Sequence, residues 1–183
     1  MPQDGPVPLL IRPRTDADLP ALGRALVEQQ AASGYPHREP LPMAPEDFVA
    51  RSGALATRTA LIDDEPVGHV AVLPVRDPEV SLEPALSRLW MAGHGLPADR
   101  LAEIGVYFTA THVRGRGVGA ALMRTALDHL AEHGLAPCLD VIPTGTAVDL
   151  YRRTGWREVG RTRPVWLDAD APDVVAMVLP TGS

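Results

Sequence analysis

Six residues of this chain, Arg-Gly-Arg-Gly-Val-Gly at positions 114–119, combine the properties that bind a pyrophosphate. Glycines let a backbone approach a ligand closely and expose successive N–H groups. The two arginines add fixed positive charge and forked donors that suit phosphate oxygens. The alternative, a glycine-lined packing turn with two solvated arginines, is disfavoured because a strand precedes the motif and a helix follows it.

The motif lies between a predicted strand and a predicted helix, which must position it. Residues 101–110 are rich in β-branched and aromatic side chains, a composition that favours a buried strand. From Val118 onward, apolar residues recur three and four apart, which predicts an amphipathic helix that ends near Gly134. The N-terminus of that helix adds positive partial charge beside the motif.

Two other phosphate-binding motifs compete with this interpretation. A Walker loop requires a lysine, and the chain contains none. Gly115, Gly117 and Ala120 do satisfy the dinucleotide fingerprint G-x-G-x-x-[GA], and Asp140 stands where an acidic ribose ligand is sought. However, the motif comes late, and too few residues follow it for a full doubly wound dinucleotide domain. A dinucleotide binder is therefore the weaker alternative.

The pattern Arg114-x-x-Gly117-x-Gly119 resembles the R/Q-x-x-G-x-G/A signature of the GCN5-related N-acetyltransferase (GNAT) superfamily. Further along the chain, Leu-Tyr-Arg-Arg-Thr-Gly-Trp at positions 150–156 resembles that family's L-Y-x-x-x-G-[FW] segment, and positions 102–104 resemble its strand before the loop. The resemblance implies a mixed α/β fold in which helices flank a central, mostly antiparallel sheet. It also implies acetyl-CoA as the cosubstrate, with its pyrophosphate on the loop.

The resemblance also implies roles for individual residues. Tyr151 matches the family tyrosine that acts as general acid toward the departing thiolate, and the alternative is that it packs beneath the cosubstrate. Glu103 is the candidate general base, acting through water, because an acidic side chain within an apolar strand favours a functional or a paired role. A structural salt bridge is the equal alternative for Glu103. The predicted acetyl-CoA contacts are the backbone near Thr109 and Thr111, the loop residues Arg114, Gly115, Arg116, Gly117, Val118, Gly119 and Ala120, and Thr144, where many relatives carry asparagine.

Composition restricts the class of protein further. The 183 residues are 45% hydrophobic and 22% charged, which is typical of a globular domain. The formal net charge of −6 argues against nucleic-acid binding and mildly favours cationic substrates. The single cysteine, Cys138, excludes an internal disulfide and suits a reducing compartment. Without a membrane span or a signal-peptide pattern, we expect a cytoplasmic protein with no membrane partner. No metal site is predicted.

The remaining pattern predicts one acetyltransferase domain over residues 9–180, after a flexible N-terminus at residues 1–8. Asp16 or Asp18 is predicted to cap the first helix, and His69 is predicted to be a packed core residue rather than a catalytic one. The other predicted elements are a strand at 9–12, a helix ending near 34, a short helix at 46–52, a hairpin at 57–75 with its turn at 63–66, a helix around 82–90, a strand at 136–142, a helix ending near 153, and strands at 156–162 and 174–179.

Together these observations predict an acetyl-CoA-dependent N-acetyltransferase that transfers the acetyl group directly to a primary amine of a small molecule. A peptide N-terminus stays open as the acceptor, because the segments that would line the acceptor site carry the least regular patterns. The main alternative is a non-catalytic acyl-CoA-binding module on the same fold, and Tyr151 and Glu103 argue against it. Dimers are common in the family, so a homodimer is a further option.

Overall fold

A computed structural model describes residues 8–182 of the chain. Strands and helices follow one another in this part as β1 Leu9–Pro13, α1 Leu19–Ser33, α2 Pro45–Ala50, β2 Ala56–Ile62, β3 Glu65–Pro74, α3 Pro84–His94, β4 Leu101–Thr109, α4 Val118–Glu132, β5 Ala136–Val141, α5 Ala147–Arg153, β6 Arg157–Thr162 and β7 Val174–Val178. The strands form a seven-stranded sheet in the order β1-β2-β3-β4-β5-β7-β6. The predicted mixed α/β fold is confirmed.

Both parallel and antiparallel pairing occur in the sheet. The pairs β1–β2, β5–β7 and β6–β7 are antiparallel. The pair β4–β5 is parallel, with a register that runs from Leu101 opposite Ala136 to Glu103 opposite Cys138. A parallel pair needs a long crossover connection, and the motif together with α4 provides it.

The residues group into two compact units. The first comprises the described residues up to Ala71 together with Val106–Ala126, and the second comprises Val72–Gly105 and the described residues from Leu127 onward. The elements β3, β4 and α4 contribute residues to both units. The single domain over residues 9–180 stays a prediction, and the predicted flexible N-terminus lies outside the described residues except for Pro8.

In the first unit, the carboxylate of Asp18 ties the start of α1 to the sheet. It accepts both ends of the Arg12 guanidinium, at 2.7 and 2.8 Å, the Thr15 N–H at 2.8 Å and the Thr59 hydroxyl at 3.2 Å. Asp18 does stand at the predicted N-cap position, but its side chain makes no capping bond to α1 because it faces Arg12. The hydrogen bonds from Arg12 above all lower the pKa of Asp18 to about 2.

Several element boundaries differ from the predicted ones by one or two residues. The turn between β2 and β3 consists of Asp63 and Asp64 alone, with φ of 51° and 62°, a conformation that matches the twist of a tight hairpin. The predicted four-residue turn is wrong, because the chain is already extended again at Glu65. Leu82, predicted to lie on a helix, precedes α3 and is 87% exposed, since that helix begins at Pro84, where the missing N–H costs nothing.

In the second unit, α3 packs on a continuous apolar core. The core comprises Val75, Leu86, Trp90, Ala98, Leu101, Ala136, Cys138, Leu167, Ala171, Val174, Ala176 and Val178. Two polar contacts from α3 fix its position on β5: the Trp90 indole N–H donates to the Leu139 carbonyl at 3.1 Å, and His94 Nε2 donates to the Pro137 carbonyl at 3.0 Å. These bonds satisfy polar groups that burial would otherwise penalise.

Candidate active site

The arginine–glycine motif forms the exposed connection between β4 and α4. A short 3₁₀ turn, Thr111–Val113, leads into it, and residues 114–117 are exposed. Gly115 and Gly117 have φ of 75° and 80°, a region that residues with a side chain rarely adopt. A Cβ at either position would meet no atom within 4 Å. The backbone is therefore open to a ligand at both glycines.

The N–H groups of the motif divide into two sets. The Arg116 N–H donates to the Val113 carbonyl at 3.2 Å, and the Ala121 N–H donates to the Gly117 carbonyl at 3.0 Å as α4 begins. A helix leaves the N–H groups of its first turn without partners within the helix. In α4 these groups belong to Val118, Gly119 and Ala120. They are better placed than the Arg116 N–H to serve as donors to an anion.

Gly119 lies close to β4, a contact that the sequence did not show. A Cβ at this position would lie 2.9 Å from the Tyr107 hydroxyl oxygen, whereas the next atoms, Cζ of Tyr107 and Cγ2 of Thr109, are 3.7 and 3.8 Å away. The first turn of α4 thus packs directly on the Tyr107 side chain of β4. Burial raises the pKa of this phenol to about 12, so it stays neutral. Sequence reasoning placed Tyr107 only in the buried strand, because nothing local reveals which later residue packs on it.

The side chain of Gln29, 2% exposed on α1, connects the motif to the segment after that helix. Its Oε1 accepts hydrogen bonds from Arg114 Nη2 at 3.4 Å and from Ser33 Oγ at 2.6 Å. Its Nε2 donates to the Leu26 carbonyl at 3.0 Å and to the Tyr35 carbonyl. These four bonds use the full capacity of the amide. The pattern of the first helix does not reveal these partners of Gln29, although an amide at a buried position is itself a signal of a polar contact.

Strand β4 carries an unusual backbone conformation at Val106, whose φ of 46° is rare for a β-branched residue. The carbonyl of Val106 accepts a hydrogen bond from Nδ1 of His69 at 2.9 Å. His69 is 0% exposed, and burial lowers its pKa to about 4, so the imidazole is neutral at pH 7. His69 is the core residue that the sequence predicted, and it supports the strand that leads to the motif.

The two threonines predicted to contact the cosubstrate flank the end of β4. Thr109 is its last residue and is half-buried, and Thr111 is exposed at the start of the 3₁₀ turn. Between them, the Ala110 N–H donates to the Val67 carbonyl at 2.8 Å, which anchors this end of β4 to β3. The threonines and the motif all belong to the first unit.

In the second unit, Glu103 lies half-buried on β4. It stands opposite Cys138 at the end of the parallel register. Burial and then the charge of Glu103 raise the pKa of the Cys138 thiol, which is 0% exposed. Cys138 is therefore a protonated thiol of the core.

Tyr151 and Thr144 also belong to the second unit. Tyr151 lies on α5, and its ring packs edge-on against Trp156 with centroids 5.8 Å apart. Thr144 is exposed between β5 and α5, and its N–H donates to the Ile142 carbonyl at 2.8 Å. The motif, like Thr109 and Thr111, thus belongs to the first unit, whereas Glu103, Thr144 and Tyr151 belong to the second. The catalytic and cosubstrate-binding roles of all these residues stay predictions.

Comparison with protein families identifies the chain at the level of the family. The model of the acetyltransferase (GNAT) family matches residues 23–156, a span that includes the motif and Tyr151. This chain is a GNAT acetyltransferase-family member. Among curated proteins, no sequence matches it. None of the helices in residues 8–182 is long and apolar enough to cross a membrane.

Solved structures share the GNAT fold with this chain at low sequence identity. A GCN5-related N-acetyltransferase from Kribbella flavida is 21% identical and covers 97% of this chain and 100% of its own, with a TM-score of 0.66. A ribosomal-protein-alanine N-acetyltransferase from Brucella melitensis is 22% identical over 92% of this chain and 98% of its own, with a TM-score of 0.66. A spermidine N-acetyltransferase chimera derived in part from Vibrio cholerae is 18% identical over 94% and 95%, with a TM-score of 0.65.

Members of the GNAT family generally use acetyl-CoA, and the motif in this chain fits the pyrophosphate of that molecule. The side chains of Arg114 and Arg116 are exposed and carry fixed positive charge. A Cβ at Gly115 or Gly117 would meet no atom within 4 Å, so the backbone is accessible there. The first turn of α4 directs its N–H groups and the positive end of the helix dipole toward the same place. The charge, the accessibility and the hydrogen-bond donors of the motif therefore all suit a pyrophosphate.

Proposed function

We propose that this GNAT protein is an acetyl-CoA-dependent N-acetyltransferase of the cytoplasm that transfers the acetyl group directly to a primary amine of a small molecule. The observation that carries the proposal is the conformation of the motif. Two exposed glycines with positive φ and two arginines precede the N-terminus of a 15-residue helix. This arrangement suits a pyrophosphate, and the two arginines add positive charge beside it.

Residues of this chain supply the functions that amine acetylation requires. Bound acetyl-CoA provides a thioester that a neutral amine can attack. An ammonium must first lose its proton, and Glu103, acting through water, is the proposed base. Tyr151, whose ring packs edge-on against Trp156, is the proposed proton donor to the thiolate. The motif and the backbone at Thr109 and Thr111 hold the rest of the cosubstrate.

A small cationic amine is the proposed acceptor because the chain carries a net charge of −6, which attracts cations. The family fold alone does not select the acceptor, since the solved structures of this fold include enzymes named for ribosomal-protein alanine and for spermidine. A peptide N-terminus is therefore included in the test beside di- and polyamines.

Gly53 provides a matched control for the cosubstrate site. Gly53 and Gly117 have φ of 84° and 80°, and a Cβ at either would meet no atom within 4 Å. Replacement by alanine therefore introduces the same backbone strain at both positions, on the order of 1 kcal/mol. We expect Gly117→Ala to raise the Kd for acetyl-CoA at least tenfold, and Gly53→Ala to leave it unchanged. Equal Kd values in the two variants would contradict the proposal that the motif binds the cosubstrate.

Catalysis is tested by thiol release from acetyl-CoA with a panel of amines. We expect Tyr151→Phe to lower kcat more than tenfold while the Kd for acetyl-CoA barely changes. An unaltered kcat would contradict the proposed role of Tyr151 as proton donor. Acetyl-CoA binding without thiol release from any amine or peptide would favour the non-catalytic acyl-CoA-binding module. Thermal stabilisation by NAD but not by CoA would favour the dinucleotide binder.

A further inference from the structure

The C-terminal end of α4 presents three side chains that the proposed function does not use. His129, Glu132 and His133 each offer one ligand atom, and these atoms lie within 4.8 Å of one another. All three residues belong to the second unit. We propose that this cluster binds Zn²⁺, one of the divalent transition-metal ions that imidazole prefers.

Helical spacing explains why the two imidazoles meet. Residues four apart lie on the same face of a helix, and the ring centroids of His129 and His133 are 4.2 Å apart. The local sequence, His-Leu-Ala-Glu-His, has the H-x-x-E-H order in which two histidines of one helix supply zinc ligands. The cluster therefore provides two nitrogen ligands and one carboxylate on one surface.

A hydrogen bond prepares one of the histidines as a ligand. His133 Nδ1 donates to the His129 carbonyl at 2.8 Å, because a carbonyl can only accept. The proton on Nδ1 leaves the lone pair on Nε2, and this backbone contact also orients the ring. Imidazole ligands favour zinc, copper and nickel, whereas magnesium and calcium prefer oxygen ligands. Glu132 and His133 are exposed, so an ion reaches them without any opening of the fold.

The test uses the full chain without a histidine tag, treated with a chelator and titrated with Zn²⁺ in a calorimeter at neutral pH. We expect one ion per chain and a loss of affinity of at least tenfold in both His129→Gln and His133→Gln. His112→Gln removes an exposed histidine from the 3₁₀ turn of the first unit and serves as the matched control, with unchanged affinity expected. Mg²⁺ should give no saturable binding.

Two further measurements make the outcome decisive. Thermal unfolding of each variant without metal shows whether the substitution leaves the fold intact. The Kd for acetyl-CoA is expected to be the same in both cluster variants as in the wild type, which separates this site from the proposed function. Absence of saturable Zn²⁺ binding, or binding that both variants retain at full affinity, would overturn the proposal.

Discussion

Replacing Gly119 by alanine tests how the first turn of α4 packs on β4. The new Cβ would lie 2.9 Å from the hydroxyl oxygen of Tyr107, closer than a carbon and an oxygen normally approach. The buried Tyr107 ring or the helix must move by a few tenths of an ångström, and overpacking of this kind costs about 1 to 3 kcal/mol. Alanine favours a helix over glycine by about 1 kcal/mol, which offsets part of that cost. We expect Gly119→Ala to destabilise the protein by about 1 kcal/mol.

Gly119→Ala should stabilise the protein, rather than destabilise it, when Tyr107→Phe has removed the hydroxyl. In Tyr107→Phe the nearest atoms to the new Cβ are the former Cζ at 3.7 Å and Thr109 Cγ2 at 3.8 Å, which are ordinary contacts. Adding Gly119→Ala to that variant should therefore stabilise it by up to about 1 kcal/mol through helix propensity. Urea unfolding of the wild type, both single variants and the double variant gives the coupling energy, which we expect to be about 1 to 3 kcal/mol. Additive effects would refute the packing explanation.

The Kd for acetyl-CoA of the same four proteins shows whether Gly119 matters for packing on Tyr107 or for contact with the cosubstrate. Alanine keeps the N–H group at position 119, so a double variant with restored packing should bind acetyl-CoA within about threefold of the wild type. If the double variant binds as weakly as Gly119→Ala alone, the glycine is needed for close approach of the cosubstrate rather than for its contact with Tyr107.

Three further substitutions test the polar contacts of the first unit. The pKa of His69 is lowered from 6.5 to about 4. The neutral, buried His69 therefore makes its full contribution to stability above pH 6.5, and this contribution, about 3 kcal/mol, is lost as pH falls toward 4. His69→Gln should remove this part of the pH dependence of unfolding. The pKa of Asp18 is lowered from 3.8 to about 2. Its contribution to stability is therefore present above pH 4 and is lost as pH falls toward 2. Asp18→Asn should lower the free energy of unfolding by about 2 kcal/mol at pH 7, and this difference from the wild type, measured by urea unfolding, should shrink over the same acid range. Gln29→Leu leaves Arg114 without its acceptor and should raise the calorimetric Kd for acetyl-CoA several-fold, so an unchanged Kd would contradict a positioning role.

Most elements of the fold followed from short-range patterns. The strands β1, β2 and β5 and the helices α1 and α4 begin and end within a few residues of the predicted positions. Periodicity and turn-forming residues act over a few neighbours, so the sequence alone contains the relevant information. The error at the hairpin occurred because its turn depends on the backbone conformation of Asp63 and Asp64, which adopt positive φ without being glycines.

The sequence by itself also identified the candidate loop, because the residue types that suit a pyrophosphate stand next to one another in the chain. Only the tertiary structure showed what supports it. Gln29 and Arg114 are 85 positions apart, and His69 and Val106 are 37 apart, yet each pair shares a hydrogen bond. Such partners depend on the path of the whole chain and on the burial that makes a lost hydrogen bond costly. A residue's type shows that it needs a partner, and only the folded chain determines which partner it meets.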